Sequence, residues 1–282
     1  MTPLCRSVLY VPAANARAMA KAGTLPCDGI IYDLEDAVAP GHKGAARDAL
    51  AAGIVAGAGK LRLVRINALA TEWGRADAAA VAGLEVAGVL LPKVASGGDV
   101  EAAAALLPGR ALWAMIETPA GVLAAAEIAA HPAVAGLVMG TNDLAHDLGA
   151  APGAGRAELA VALQTGLLAA RAAGILALDG VFTALDDAEG LAAECAEGRR
   201  LGFDGKTVIH PGQIAAANAA FAPTEAECDL ARRQIAAHEA ALARGQGVAV
   251  VDGRIVENLH VAAARDRLRR AEAIRAREGM ER

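Results

Sequence analysis

Two acidic residues end consecutive apolar runs. Glu117 closes Ala114-Met115-Ile116-Glu117, and Asp143 closes Met139-Gly140-Thr141-Asn142-Asp143. Side by side, two carboxylates repel, and a hard divalent cation between them relieves the repulsion. Two carboxylates, waters and a substrate oxygen together satisfy octahedral Mg2+. The alternative is a pair of helix N-terminal caps, where the helix dipole favours negative charge. Glu35 and Asp36, at the end of another apolar run, weigh toward the metal, because nearby acids orient metal-bound waters.

Arg65 interrupts the apolar run Leu61–Asn67. Strand alternation puts Arg65 and Asn67 on one face and Val64 and Ile66 on the other. A guanidinium in an apolar interior needs an anion. That anion is either Glu35, as a permanent partner, or a carboxylate or enolate oxygen of a substrate. Lys93 and Lys206 pose the same question, although a lysine can extend its ammonium to water. The six histidines show no metal-ligand spacing: His42, His131, His238 and His260 read as surface groups, and His146 as the start of a helix. His210, in Val208-Ile209-His210-Pro211, either meets a ligand or bonds the next turn. No serine stands in a nucleophile elbow and no cysteine pairs with a nearby histidine, so covalent hydrolysis has no support.

Elements must hold these groups together. Eight runs of β-branched and aliphatic residues recur between Ala-rich helical stretches: Ser7–Pro12, Gly29–Glu35, Leu61–Asn67, Gly88–Val94, Leu112–Glu117, Gly136–Asp143, Ile175–Val181 and Phe203–His210. Eight strand-helix units are the count of a closed parallel barrel. An open doubly wound sheet is the alternative, but the first run has no GxGxxG turn after it. Polar residues sit at the C-terminal ends of almost all the runs, where a barrel builds its active site. The fold expected is therefore a (β/α)8 TIM barrel over residues 1–222, with a helix–hairpin–helix extension over 223–282. In that extension a helix from Pro223 to Arg244 precedes Gly247–Val256, which Asp252-Gly253 breaks as a hairpin turn does. A last helix starts near Glu257.

Composition narrows the partners. The 282 residues are 55% hydrophobic but only 2% aromatic, which suits small side chains packed between helices and strands. A net charge of −5, with no basic patch, speaks against nucleic acid. The Arg265–Arg277 stretch alternates with acids and alanines and reads as a solvated helix. Cys5, Cys27, Cys195 and Cys228 are dispersed, so neither a zinc knuckle nor a disulfide framework is expected and a reducing cytoplasm is. No apolar run approaches the ~18 residues that span a bilayer.

These residues fall in motifs that resemble the citrate lyase β-subunit and malyl-CoA lyase group of the HpcH/HpaI aldolase superfamily. The motifs, in order, are Arg6-Ser7-Val8-Leu9-Tyr10-Val11-Pro12, Asp33-Leu34-Glu35-Asp36-Ala37-Val38, Val64-Arg65-Ile66-Asn67, Leu91-Pro92-Lys93, Ile116-Glu117-Thr118, Asn142-Asp143-Leu144, Gly202-Phe203-Asp204-Gly205-Lys206 and Ile209-His210-Pro211. The resemblance implies Mg2+ on Glu117 and Asp143, substrate contacts by Arg65 and along Asn142-Asp143-Leu144, and Glu35 and Asp36 beside the metal's waters. It also implies a homotrimer or homohexamer in which the C-terminal extension brings an acid over a neighbour's site. The malyl-CoA lyase pattern has aspartate there, whereas this chain has Glu257. The activity implied is Mg2+-dependent cleavage or condensation of a β-hydroxyacyl-CoA thioester, giving acetyl-CoA and a 2-oxo acid. The alternatives are a citrate lyase β-subunit using an acyl-carrier thioester, an aldolase of free 2-oxo acids, and a non-catalytic ligand-binding barrel.

Overall fold

A computed structural model describes residues 3–151 and 155–280, the side chain of Met280 excepted. The chain divides into a first compact unit, Pro3–Phe221, and a second from Ala222 on. In the first unit eight strands run in chain order: β1 Ser7–Pro12, β2 Gly29–Asp33, β3 Leu61–Arg65, β4 Gly88–Leu91, β5 Leu112–Ile116, β6 Val134–Met139, β7 Leu176–Asp179 and β8 Gly205–Val208. Each pairs in parallel with the next, and β1 pairs with β8 to close the barrel. The doubly wound alternative is thereby excluded.

Alternation along the strands sorts two apolar layers. Val8, Ile31, Leu63, Leu90, Trp113, Met115, Val138 and Leu178 fill the barrel interior. Leu9, Val11, Ile30, Tyr32, Val64 and Ile66 face the surrounding helices. Trp113 is the bulk of the lower interior, and its neighbours make room for it. A Cβ on Gly88 of β4 would come within 2.8 Å of the indole, and one on Gly136 of β6 within 2.5 Å. The flanking strands therefore carry no side chain where the ring lies.

Several strands end earlier than their apolar runs suggest. β6 stops at Met139, and Thr141–Asp147 is a helix, so Asp143 stands in a helical first turn and not on a strand. Glu35, Asn67, Lys93, Glu117 and His210 likewise lie beyond their strands, in the connecting loops.

In the second unit, helices Glu225–Ala243 and Asn258–Met280 flank a hairpin of β9 Ala249–Val251 and β10 Arg254–Val256. Its turn residues Asp252 and Gly253 both have positive φ, 50° and 75°, as a type I′ turn requires. Ala241, Ala249, Val256 and Val261 make its small core. His238, expected at the surface, is instead buried on the first of these helices. Among the described residues no helix is long and apolar enough to cross a membrane.

Candidate active site

At the C-terminal mouth of the barrel lies a cavity of about 320 Å³. Asp33, Asp36, Arg65, Glu117 and Asp143 form its charged wall, and Tyr10, Met115, Met139, Val181 and Ile209 its apolar one. The charged groups come from β2 and the loop after it, the end of β3, the loop after β5 and the helix after β6, so barrel closure is what gathers them.

Arg65 ends β3 pointing inward. Its Nε and Nη2 donate to the two oxygens of Asp33, both at 2.7 Å. Its Nη1 lies 2.9 Å from Glu35 Oε2 and 3.3 Å from Asp36 Oδ2, and the Tyr10 ring backs the guanidinium at 5.0 Å. Burial alone would lower the Arg65 pKa, but the bond to Asp33, the charge of Asp33 and the neighbouring Tyr10 and Glu35 together outweigh it and hold the cation charged. The permanent partner is thus chiefly Asp33, to which the sequence motifs assigned no role. Alternation along β2 carried the signal, since Ile31 and Asp33 share its inward face. Asp33 also accepts from the amides of Glu35 and Ala37, so one buried carboxylate sets both the arginine and the turn after β2.

Asn67 does not share the cavity face with Arg65. The chain leaves the strand after Arg65, and Asn67 turns to Asp77 Oδ2 at 2.6 Å and Lys43 Nζ at 2.6 Å. A local polar network outcompetes the strand period there.

Glu117 is buried, 3% exposed, and it is not a helix cap. Thr118 caps the helix Pro119–Leu123, its side chain accepting from the Gly121 amide. Glu117 Oε1 instead accepts from the Lys93 amide at 2.6 Å, and Asp143 Oδ2 accepts from Lys93 Nζ at 2.7 Å. Burial pushes the Glu117 carboxyl up to about 7, against the Lys93 amide and with the neighbouring charge of Asp143 adding to the rise. Burial likewise lifts Glu35 to about 8, with Arg65 opposing. Gly140 makes the approach possible, since a Cβ there would sit 2.3 Å from Glu117 Cβ.

The remaining residues divide. Asp36 and Asn142 line the cavity. Leu144 is fully buried in the layer between barrel and helices and does not line it. His210 is exposed and caps the turn after it, accepting from the Gly212 amide. Lys206 is fully buried on Asp179, Glu194 and the Gly180 carbonyl, so it is a structural cation. Glu257 belongs to the second unit, where it is exposed and its amide donates to His260 Nδ1.

Two hard oxygen donors, Glu117 buried and Asp143 partly exposed, with a lysine ammonium reaching one of them, suit a hard cation. Among the described residues no group of three or more His, Cys, Asp or Glu could hold a metal. The remaining ligands would therefore be water and substrate, leaving the open coordination that catalysis needs.

Known proteins share this architecture. A crystal structure of CitE from Mycobacterium tuberculosis in complex with magnesium, acetoacetate and coenzyme A superposes with a TM-score of 0.81 at 35% identity, covering 95% of this chain and 98% of that one. The (3S)-malyl-CoA thioesterase of Cereibacter sphaeroides is 55% identical over 273 residues, 96% of each chain. The citrate lyase subunit beta of Escherichia coli K12 is 37% identical over 289 residues, 97% of this chain and 95% of that one. With the family's own profile matching residues 6–211, barrel, mouth and motifs all say that the chain belongs to the HpcH/HpaI aldolase/citrate lyase family.

Proposed function

We propose that this chain is a Mg2+-dependent enzyme of malyl-CoA-type thioesters and that its net reaction is hydrolysis to free CoA and a 2-hydroxy dicarboxylic acid. The observation that carries the reading is one small cavity joining the Glu117–Asp143 pair to the inward edge of Arg65. Relatives support it: the M. tuberculosis neighbour was crystallised with magnesium, acetoacetate and coenzyme A, and the thioesterase of C. sphaeroides matches along 96% of the chain.

Glu117 and Asp143 would hold the ion, and Glu35 and Asp36 would orient its waters. Bound there, Mg2+ supplies a Lewis acid for the carboxylate and hydroxyl at the acyl end of the substrate. The cavity has room for that acyl end and its thioester group. Arg65, fixed by Asp33 and backed by Tyr10, would offer Nη1, in exchange for its contacts with Glu35 and Asp36, to negative charge developing on the thioester oxygen. That oxygen becomes the tetrahedral oxyanion when water adds to the carbonyl, and collapse then expels the CoA thiolate. Glu35, once ionised, would take the proton of the attacking water, a role its raised carboxyl fills only as the pH approaches about 8.

The same oxygen bears the charge of the enolate in carbon–carbon cleavage, so cleavage to acetyl-CoA and a 2-oxo acid is the second reading, favoured by the family's aldolases and lyases. Cleavage needs one thing that hydrolysis does not, a proton donor for the enolate carbon. By resemblance that donor is Glu257 of a neighbouring copy in a trimer or hexamer, and it is the position at which this chain departs from the lyase pattern. Product analysis separates the two. Malyl-, citramalyl- and citryl-CoA are each incubated with the protein and Mg2+. Malate with free CoA supports hydrolysis, acetyl-CoA with a 2-oxo acid supports cleavage, and silence on all three refutes both.

A further inference from the structure

Lys93 occupies an unusual position for its residue type. Its φ is 51°, in the left-handed region that an L side chain enters only under constraint. The constraint is double. Its amide donates to Glu117 Oε1 at 2.6 Å, and its ammonium, half exposed, reaches Asp143 Oδ2 at 2.7 Å. One residue thus grips both acids of the site, with the backbone on one and the side chain on the other. Burial of Glu117 and its repulsion with Asp143 leave the pair short of positive charge, and the Lys93 ammonium supplies it.

We infer that Lys93 is a positioning residue that presets the Glu117–Asp143 pair, its ammonium standing in for the divalent cation until the cation arrives. The inference rests on the metal reading given above. Amide and ammonium respond differently to the arriving ion. The amide takes one lone pair of Glu117 and can stay when a cation binds. The ammonium sits on the Asp143 oxygen as a competing positive charge and must leave. Its exit is short, because Lys93 also borders a second cavity of about 160 Å³ lined by Asn67, Leu69, Pro92 and Asp99. The strained backbone keeps the amide in place while the flexible side chain swings.

The ammonium therefore competes with Mg2+, and removing it tightens binding. Isothermal titration of Mg2+ into the wild-type chain, Lys93→Met and Lys93→Arg, at matched ionic strength, tests this. An ion pair this exposed contributes little, so the Lys93→Met dissociation constant falls by about two- to five-fold, and Lys93→Arg stays near wild type. Loss of a merely structural prop would loosen the site, not tighten it. Unchanged or weaker Mg2+ binding by Lys93→Met, with a thermal melt like wild type's, overturns the inference but leaves the metal reading standing. If Lys93→Met melts early, ¹³C-dimethyl lysine NMR of the wild type decides, since the Lys93 signal must shift on adding Mg2+. No heat from any of the three proteins overturns both.

Discussion

Arg65 is held so tightly that its partner residues define what it can do. Two of its nitrogens are committed to Asp33, so substrate charge can reach only Nη1, in exchange for its contacts with Glu35 and Asp36. Arg65→Lys keeps the charge but not the fork, and a lysine cannot reproduce the bidentate bond. We expect kcat to fall on the order of 100- to 1000-fold, the loss seen when one oxyanion donor is removed. KM should change less, because the bond matters most when the oxygen is fully charged. A variant that lost only KM would place Arg65 in ground-state binding. Sequence alternation turns Arg65 inward without any structure, and it was Asp33, one strand away on the same alternating face, that went unread.

The strands themselves were legible because a parallel barrel demands apolar runs of fixed spacing, and every one of the eight lies where β-branched and aliphatic residues cluster. Their ends were less so. Gly140-Thr141-Asn142 continues the pattern of β6, yet the chain turns into a helix at Thr141. The physical reason is at the end of the neighbouring strand β5, where Glu117 fills the space beside Gly140, and a contact between two segments leaves no mark on either. Gly140→Ala tests this packing. Two backbone-anchored Cβ atoms cannot coexist at 2.3 Å, so either Glu117 or the helix Thr141–Asp147 must move. The expected result is Mg2+ binding weakened by roughly 10-fold or more, since displaced ligand support typically costs ~10–100-fold in metal affinity. Unaltered affinity would mean that the mouth is softer than its contacts indicate. The left-handed Lys93 was illegible for a similar reason: glycine, asparagine and aspartate announce positive φ in a sequence but lysine does not, and here the anchoring comes from Glu117.

At the scale of the whole molecule, burying Glu35 and Glu117 has a stability consequence. Burial raises both folded-state pKa values, to about 8 and about 7, from an ordinary 4.5. A raised carboxyl contributes stability in full below its unfolded pKa and loses it as pH climbs through the folded one. The metal-free chain should therefore lose thermal stability between roughly pH 5 and pH 8, by a few degrees in Tm for a unit of this size. Glu35→Gln should flatten that slope, and Mg2+ should restore the stability lost near pH 8 by binding only the folded chain. Calorimetry across that range, with and without Mg2+, checks it, and a melting temperature that rises over the same window in the metal-free wild type would reverse the sign and contradict the burial argument. The hairpin of the second unit was plain from Asp252-Gly253, while the reach of Glu257 over a neighbouring copy, which the resemblance implies, would belong to an assembly of copies. The most direct test of a metal-dependent thioester enzyme is CoA release from malyl-CoA by the wild-type chain with Mg2+, with EDTA, and with Mg2+ restored. Thiol release that EDTA abolishes and Mg2+ recovers is the predicted result; release that is indifferent to EDTA would contradict the metal site at the centre of the mechanism.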